Sequence, residues 1–215
     1  MLFTIAMDKL QKTIKQLEFN NFEVFYAKDI KSAKDIFENK ILKTITFSNV
    51  SYADSITMRK TGVLEMLKDM DSIEFIETFS PDDPWETRIN QRRKALTTDL
   101  FLTGTNAITE AGQLVNLDMI GNRVAAITFG PRNVVLFIGI NKIVKDIDEA
   151  FKRIKTISAP LNAKRHENFK TPCQKTGVCN DCKSPQRICN TWTITEKSYP
   201  PKRIKIILID EELGY

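Results

Sequence analysis

The four cysteines are the residues of this chain whose types and spacing most clearly suggest chemistry. They are Cys173, Cys179, Cys182 and Cys189, with the spacing C-x5-C-x2-C-x6-C. Thiolates bind zinc and iron-sulfur clusters, and two cysteines separated by two residues can close on one metal through a tight turn. In a reducing compartment, cysteines grouped in this way are more often metal ligands than disulfide partners. The spacing therefore predicts a metal centre.

Three interpretations of the cysteine group are open. A structural zinc site usually has two closely spaced pairs, whereas this chain has only the Cys179 and Cys182 pair. An iron-sulfur cluster accepts wider and less regular spacings, because each corner of a four-iron cluster needs one thiolate. Four unrelated thiols are the third interpretation, which the grouping in so short a segment disfavours. We therefore expect a [4Fe-4S] cluster, with zinc as the alternative.

The charge of the segment around the cysteines is compatible with a metal centre. Residues 151–205 carry 13 Lys and Arg against three acidic residues, a net charge of +10, while the whole chain has +5. Positive charge helps to hold a cluster whose own charge is negative. A basic segment can equally be a solvated surface or bind nucleic acid. Without interleaved aromatic residues or a nucleic-acid motif, we do not expect a nucleic-acid partner.

A second group of candidate residues lies in Gly-rich and Asn-rich corners next to apolar runs. Such corners can line a ligand site at the ends of strands, or they can simply be tight turns. The absence of a G-x-G-x-x-G fingerprint and of a P-loop gives no support to nicotinamide or nucleoside-triphosphate binding. The single histidine, His166, is an exposed loop residue, a proton donor or a ligand. The candidate ligand-binding residues are Asn106, Thr109, Glu110, Asn122, Asn133, Asn141 and Lys142.

The elements that must position these residues follow an alternating order. Hydrophobic spacing predicts helices over residues 8–19, 28–40, 62–70, 85–98 and 146–155, the last with Asp146 as its N-terminal cap. Short apolar or β-rich runs predict strands over residues 22–27, 44–48, 72–79, 99–103, 124–129, 134–140, 191–195 and 203–209. This alternation predicts an α/β fold with a mostly parallel sheet and helices on both faces.

The domain organisation follows from length and composition. With 215 residues, 42% hydrophobic and 27% charged, the chain has the composition of an ordinary globular protein. We expect one domain over residues 1–215, with a cysteine-rich loop over residues 157–191 inserted between late elements. No apolar run is long enough for a membrane span, and the first residues do not resemble a secretory signal. The expected compartment is therefore the cytoplasm.

Several long motifs resemble the lactate-utilisation (LUD) domain family. The resemblance is carried by residues 92–155, by SAPLNAKRH, by TPCQKTGVCNDCKSPQRICN and by the final EELGY. It is closest to the short, single-domain subfamily that has a C-terminal four-cysteine motif. It implies a fold similar to the sugar-phosphate isomerases and CoA transferases (NagB/RpiA/CoA-transferase-like). It also implies a role near the iron-sulfur-dependent oxidation of lactate, with other iron-sulfur or flavin subunits as partners.

The cysteine spacing and the family resemblance together predict two functions from different classes. The first is an iron-sulfur protein with a [4Fe-4S] cluster on the four cysteines, serving electron transfer or a redox step on lactate or another small 2-hydroxy carboxylate. The alternative is a binding module for an anionic metabolite, or an acyl or CoA transferase, in which zinc or a cluster only stabilises the loop. By analogy with CoA transferases, Glu110 is the candidate acyl nucleophile. The sequence leaves open whether the chain is itself catalytic.

Overall fold

The computed structural model describes residues 2–166 and 168–215, and for residues 2–7 it describes the backbone alone. Its helices are α1 (Leu2–Phe19), α2 (Ile30–Ile36), α3 (Ile56–Lys60), α4 (Val63–Lys68), α5 (Trp85–Lys94), α6 (Asn122–Thr128), α7 (Ile147–Arg153), α8 (Ala159–Lys164) and α9 (Pro172–Thr176). Its strands are β1 (Glu23–Ala27), β2 (Asn49–Tyr52), β3 (Glu74–Ile76), β4 (Leu100–Thr103), β5 (Ala107–Thr109), β6 (Leu114–Asp118), β7 (Asn133–Gly139), β8 (Ile143–Val144), β9 (Thr191–Thr195) and β10 (Ile204–Ile209).

A six-stranded parallel sheet is the centre of the fold. Its strand order is β1-β10-β7-β4-β2-β3, and each neighbouring pair runs in the same direction. All residues of β4 and β10 are buried, as is expected where helices cover both faces of a parallel sheet. The predicted α/β fold with a mostly parallel sheet is therefore confirmed.

Two apolar clusters lie on the two faces of this sheet. One contains Phe37, which follows α2, and Leu64 of α4. The other contains Leu17 of α1 and Ile127 of α6. Successive residues of β10 alternate between them, because side chains of a strand point to opposite faces in turn. Burial of these apolar side chains is the main stabilising contribution to the fold.

A second sheet of four short strands has the order β8-β5-β6-β9. The sequence predicts only its last strand, because the other three are two to five residues long and carry no clear alternation. Strand β5 follows the carboxyl end of β4, and β8 follows the carboxyl end of β7. The second sheet therefore extends from the carboxyl edge of the central sheet.

Two of the predicted strands are wrong. Residues 124–128 of the predicted strand 124–129 belong to helix α6, which begins after Gly121 in a left-handed conformation (φ 88°), and Phe129 is the extended residue that ends the helix. A short apolar run does not distinguish a buried strand from a buried helix, and Val124, Ala126 and Ile127 are buried with helical spacing. Residues 44–48 were predicted as extended, but the strand is Asn49–Tyr52, where pairing with β3 and β4 begins.

The other long elements agree with the patterns in the sequence. Asp146 caps α7 by accepting a hydrogen bond from the backbone N–H of Glu149 at 3.0 Å. The segment over residues 157–191 contains the short helices α8 and α9 and is otherwise irregular in its described part. Among the described residues, no helix combines the length and the apolar character that crossing a bilayer requires.

Candidate functional site

A cavity of about 530 Å³ lies at the carboxyl edge of the central sheet. Its lining includes Ser55 after β2, Asn106 after β4, Lys142 after β7 and Gly214 after β10. Ligands of open α/β sheets bind at this edge, where loops from neighbouring parallel strands converge. The volume lies within the range of small-molecule and cofactor sites. The cavity is therefore the candidate ligand site of the fold.

Arg123 organises one side of this cavity. Its side chain is buried, and its guanidinium forms a salt bridge with Asp118, with 3.1 Å between Nε and Oδ1. The same group donates to the side-chain oxygens of Asn106 and Asn116 at 2.8 and 2.7 Å, and to the carbonyl oxygens of Gly104 and Leu117. Arg123 thereby fixes the loop after β4 relative to β6. Arg123 is not among the residues predicted from the sequence to bind a ligand, although a charged residue beside an apolar run is a signal that the sequence contains.

Lys142 contributes a buried amine to the cavity. Its Nζ donates to the carbonyl oxygen of Thr105 at 3.1 Å. Burial, together with the positive charges of Arg153 and Arg123, lowers the pKa of Lys142 to about 7. Gly214 lies against it, since a Cβ at Gly214 would be 3.3 Å from Nζ. Lys142 can therefore pair with a carboxylate as an ammonium group, or accept a proton as a neutral amine.

Replacement of Lys142 by methionine tests this burial through the pH dependence of stability. The folded pKa of Lys142 is about 7 and the ordinary value is 10.5, so between these values the unfolded chain binds a proton that the folded chain does not. The free energy of unfolding of the wild type should therefore rise with pH in this window, by up to about 1.4 kcal/mol per pH unit from this residue. In Lys142→Met that rise should be absent. Urea unfolding between about pH 6.5 and pH 9.5 measures the difference.

The matched control for this prediction is Lys145→Met, which removes an exposed lysine from the same segment. We expect it to change the free energy of unfolding by no more than about 0.5 kcal/mol. If Lys142→Met and the wild type had parallel stability curves over the whole pH range, the depressed pKa of Lys142 would be wrong.

The acidic residue Asp54 at the cavity is already paired with cations. It accepts from Nε of Arg59 at 2.6 Å and from Nη2 of Arg165 at 2.8 Å. Burial by itself would raise the pKa of Asp54, but these hydrogen bonds and charges hold it below its ordinary value. Asp54 is therefore ionised and serves to position Arg165 at the cavity.

His166 lines the same cavity and stacks on Phe169, with 5.0 Å between the ring centroids. Burial, followed by the charge of Arg165, lowers the pKa of His166 below its ordinary value. The imidazole is therefore neutral at pH 7 and can donate or accept a hydrogen bond toward a ligand. His166 does not line the pocket that the cysteines share.

The structure brings three of the seven predicted ligand-binding residues to the cavity, namely Asn106, Asn122 and Lys142. The other four do not line it. Asn133 is the first residue of β7, at the opposite edge of the parallel sheet, where its Oδ1 accepts from Nζ of Lys205 at 3.2 Å. A residue that precedes a parallel strand and a residue that follows it lie at opposite edges, so the sequence already contained the signal that separates Asn133 from Asn141.

Three further predicted residues, Asn141, Thr109 and Glu110, do not line the cavity and have structural partners instead. Asn141 holds the C-terminal segment, since its Oδ1 accepts from the backbone N–H of Leu213 at 3.1 Å. Thr109, the buried last residue of β5, donates to Oε1 of Gln113 at 2.9 Å, across the turn that leads to β6. Glu110 forms ion pairs with two lysines of α1, at 3.4 Å to Nζ of Lys9 and 3.7 Å to Nζ of Lys12. The seven predicted ligand-binding residues therefore do not share one site.

The four cysteines line one small pocket of about 20 Å³, together with Arg187 and Ile188. Cys173 lies in α9, and its Sγ is 3.3 Å from Oγ1 of Thr171. Arg187 fixes the remainder of the loop by donating to the carbonyl oxygens of Cys182 and Cys189, each at 2.7 Å. The tertiary structure thus brings together side chains that are up to 16 positions apart in the sequence.

The turn between Cys179 and Cys182 directs a backbone N–H at a cysteine sulfur. Asp181 has a positive φ of 49°, and its N–H points at Sγ of Cys179, 3.4 Å away. The carboxylate of Asp181 forms an ion pair with Lys155, with 3.1 Å between Oδ2 and Nζ, and both side chains are exposed.

The donor set fits a metal that prefers sulfur, although the side chains are not in ligand positions as they stand. In the part of the chain that the structure describes, no three His, Cys, Asp or Glu side chains are arranged so that they could hold a metal ion. Burial, followed by the charges of Cys179 and Cys173, raises the pKa of Cys189 to about 11. Without a cation, therefore, the thiol of Cys189 is protonated at neutral pH. A bound metal would remove this penalty by compensating the negative charge.

The cysteine pocket adjoins the large cavity. Ile188 lines both of them. Cys173 and Ile188 form one apolar cluster with Ala163, against which Phe169 and Met119 pack from the cavity side. A group held by the cysteines would therefore be separated from the cavity by one layer of apolar side chains.

Comparison with known proteins identifies a family and shows a similar fold among solved structures. The profile of the LUD domain matches residues 10–209. A crystal structure of a DUF162 family protein from Deinococcus radiodurans is similar over 95% of this chain and 98% of that chain, with 11% sequence identity and a TM-score of 0.53. At this identity the likeness concerns the fold alone. A search among curated proteins finds no match.

Proposed function

Because this chain belongs to the LUD domain family, which is related to lactate utilisation, we propose that it is an iron-sulfur protein serving electron transfer or a redox step on a small carboxylate. Lactate or another small 2-hydroxy carboxylate is the proposed substrate class. Other iron-sulfur or flavin subunits are the proposed electron partners. The observation that carries the proposal is that all four cysteines line one pocket, which shares Ile188 with the large cavity.

The proposed ligands of the cluster are Cys173, Cys179, Cys182 and Cys189. A [4Fe-4S] cluster, when bound, transfers single electrons at a potential set by its surroundings. The pocket of about 20 Å³ has the size of one small ion or water, so binding of a four-iron cluster requires the loop to open. Cys179, Cys182 and Cys189 are partly exposed, and their segment is irregular, which permits such an opening.

The residues of the cavity supply groups suited to a small carboxylate. Lys142 in its ammonium form pairs with a carboxylate, and Asn122 can donate a hydrogen bond from its amide. Binding of an anion beside Lys142 favours its charged form, so carboxylate binding above pH 7 should be accompanied by proton uptake. Arg123 keeps the loop that carries Asn106 in position for this binding.

Anaerobic purification, a visible absorption spectrum and a count of iron, sulfide and zinc on one sample test the proposal. We expect a brown protein with nearly equal iron and acid-labile sulfide, whose absorption is bleached by dithionite. A colourless protein with one zinc per chain, after failed reconstitution with iron and sulfide, would contradict the iron-sulfur assignment.

One observation favours a second candidate function, a metabolite-binding module whose cysteines hold a structural zinc. The cysteine pocket has the volume of a single ion, and a zinc site with four thiolates is a common structural element. This alternative requires a redox-silent protein that still binds an anion in the cavity. The acyl-transferase alternative is disfavoured because Glu110, its candidate nucleophile, is paired with Lys9 and Lys12 outside the cavity.

A further inference from the structure

Helix α5 directs two arginines into the large cavity. Arg88 and Arg92 lie four residues apart, so they occupy the same face of the helix, and both line the cavity. Both are half-buried, whereas Arg93 and Lys94 of the same helix are exposed. The Nε atoms of Arg88 and Arg92 are enclosed and have no hydrogen-bond partner among the described residues. A buried donor without a partner is costly, and a ligand that accepts hydrogen bonds removes this cost.

The acidic residues of the cavity lining are engaged by other cations. Asp54 is paired with Arg59 and Arg165, and Asp118 is paired with Arg123. Among the described residues neither Arg88 nor Arg92 forms a salt bridge, and Asp118 affects Arg92 only through its charge. Together with Lys142 the two arginines give the cavity an excess of positive charge. Such a site favours a ligand with more than one negative charge.

Aromatic rings hold the two guanidinium groups at the rim of the cavity. The guanidinium carbon of Arg92 is 4.9 Å from the ring centroid of Phe79 and 5.7 Å from that of Trp85. The guanidinium of Arg88 also lies 5.7 Å from the ring of Trp85. Packing against a ring face leaves the edge of a guanidinium free, and that edge matches a phosphate or carboxylate through paired N–H donors.

The rim also offers a surface for a planar group. Trp85 lines the cavity and is 54% exposed, so part of its ring is open to a ligand. Nucleobases stack on aromatic rings in proteins that bind single-stranded nucleic acids, and the same contact is available to a free nucleotide. A small hydroxy acid would fill only a small part of the cavity of about 530 Å³.

From these contacts we propose that Arg88, Arg92 and Trp85 form a subsite for a phosphorylated ligand with a planar ring, of the nucleotide class. Arg88 and Arg92 bind its phosphate oxygens, and Trp85 stacks on its ring. The subsite is distinct from the inner part of the cavity at Lys142 and does not involve the cysteines. It goes beyond the proposed function, because it adds a second ligand class to the carboxylate proposed above.

Calorimetric titration of the full chain with ADP, FMN and pyrophosphate tests the subsite. We expect ADP or FMN to bind more tightly than pyrophosphate, because only the first two have a ring. The double variant Arg88→Gln/Arg92→Gln should weaken this binding by about tenfold or more, because it removes both guanidinium groups that form charge-assisted hydrogen bonds with phosphate. Failure of both ADP and FMN to bind, or equal affinity of all three compounds, would overturn the proposal.

The double variant Arg93→Gln/Lys94→Gln is the matched control. It removes the same charge from the same helix, but at residues that do not line the cavity. We expect it to retain the wild-type affinity. Equal weakening by both double variants would mean that general electrostatic attraction accounts for the binding, and the subsite would then be wrong. Circular dichroism on both variants excludes a loss of fold.

Tryptophan fluorescence places the ligand independently of affinity. The chain has two tryptophans, Trp85 and Trp192, and only Trp85 lines the cavity. ADP should therefore change the fluorescence of the wild type but not that of Trp85→Phe. If ADP changed the fluorescence of Trp85→Phe as much as that of the wild type, Trp85 would not be part of the site. Because these measurements do not depend on the metal content, failure of the subsite and failure of the iron-sulfur assignment are separate results.

Discussion

Arg123→Leu is expected to lower the free energy of unfolding by about 3–5 kcal/mol, which is the usual cost of breaking a buried ion pair by removal of one partner. The reason is the number of groups that Arg123 satisfies. Its guanidinium forms the salt bridge with Asp118 and donates to four further oxygen atoms. Leucine would leave the Asp118 charge uncompensated and the amide oxygen of the buried Asn116 without this donor. Urea unfolding monitored by circular dichroism measures the loss.

Two further variants make this prediction specific. Arg132 is 83% exposed and has one ion pair, at 3.6 Å from Asp99, so Arg132→Leu should cost no more than about 0.5 kcal/mol. Arg123→Lys keeps the charge, but an ammonium group cannot reach the same set of acceptors as a planar guanidinium, so most of the loss should remain. If Arg123→Leu were as stable as Arg132→Leu, the organising role of Arg123 at the cavity would be wrong.

Cys179→Ser is expected to abolish stable metal binding. A hydroxyl is a much weaker ligand than a thiolate for zinc or an iron-sulfur cluster. The affinity should fall by more than about 100-fold, because loss of a residue that only orients a ligand already costs about 10- to 100-fold. The loop should lose stability at the same time, since metal binding in such segments also stabilises the folded state. Metal content after anaerobic purification and the thermal unfolding midpoint are the two measurements.

Val178→Ser is the control for the cysteine variant. It introduces the same residue at the neighbouring position, where the side chain is 48% exposed and does not line the cysteine pocket. It should keep its metal and its unfolding midpoint. Full metal retention with unchanged stability in Cys179→Ser would exclude Cys179 as a ligand, and an equal loss in Val178→Ser would mean that the loop, rather than the thiol, is what the metal content depends on.

The sequence by itself determined the parts of this protein that depend on local pattern. The buried strands β4, β7 and β10 were visible as short apolar runs, and the cap at Asp146 was visible in its spacing from Glu149. The four cysteines were visible as a group because they are close along the chain. These features arise from residues within a few positions of one another, so no knowledge of the tertiary structure is needed to find them.

The tertiary structure alone decided which polar residues share a site. Asn106 and Asn133 both occur beside apolar strands, but only Asn106 follows its strand, and the parallel sheet sends the two residues to opposite edges. Trp85, Arg88 and Arg92 are close together on helix α5, but the sequence does not show that this helix faces Lys142, because strand order alone brings Lys142 to the same cavity. Packing alone likewise decides whether a short run such as residues 124–129 forms a helix or a strand, since its composition suits a buried helix and a buried strand equally well.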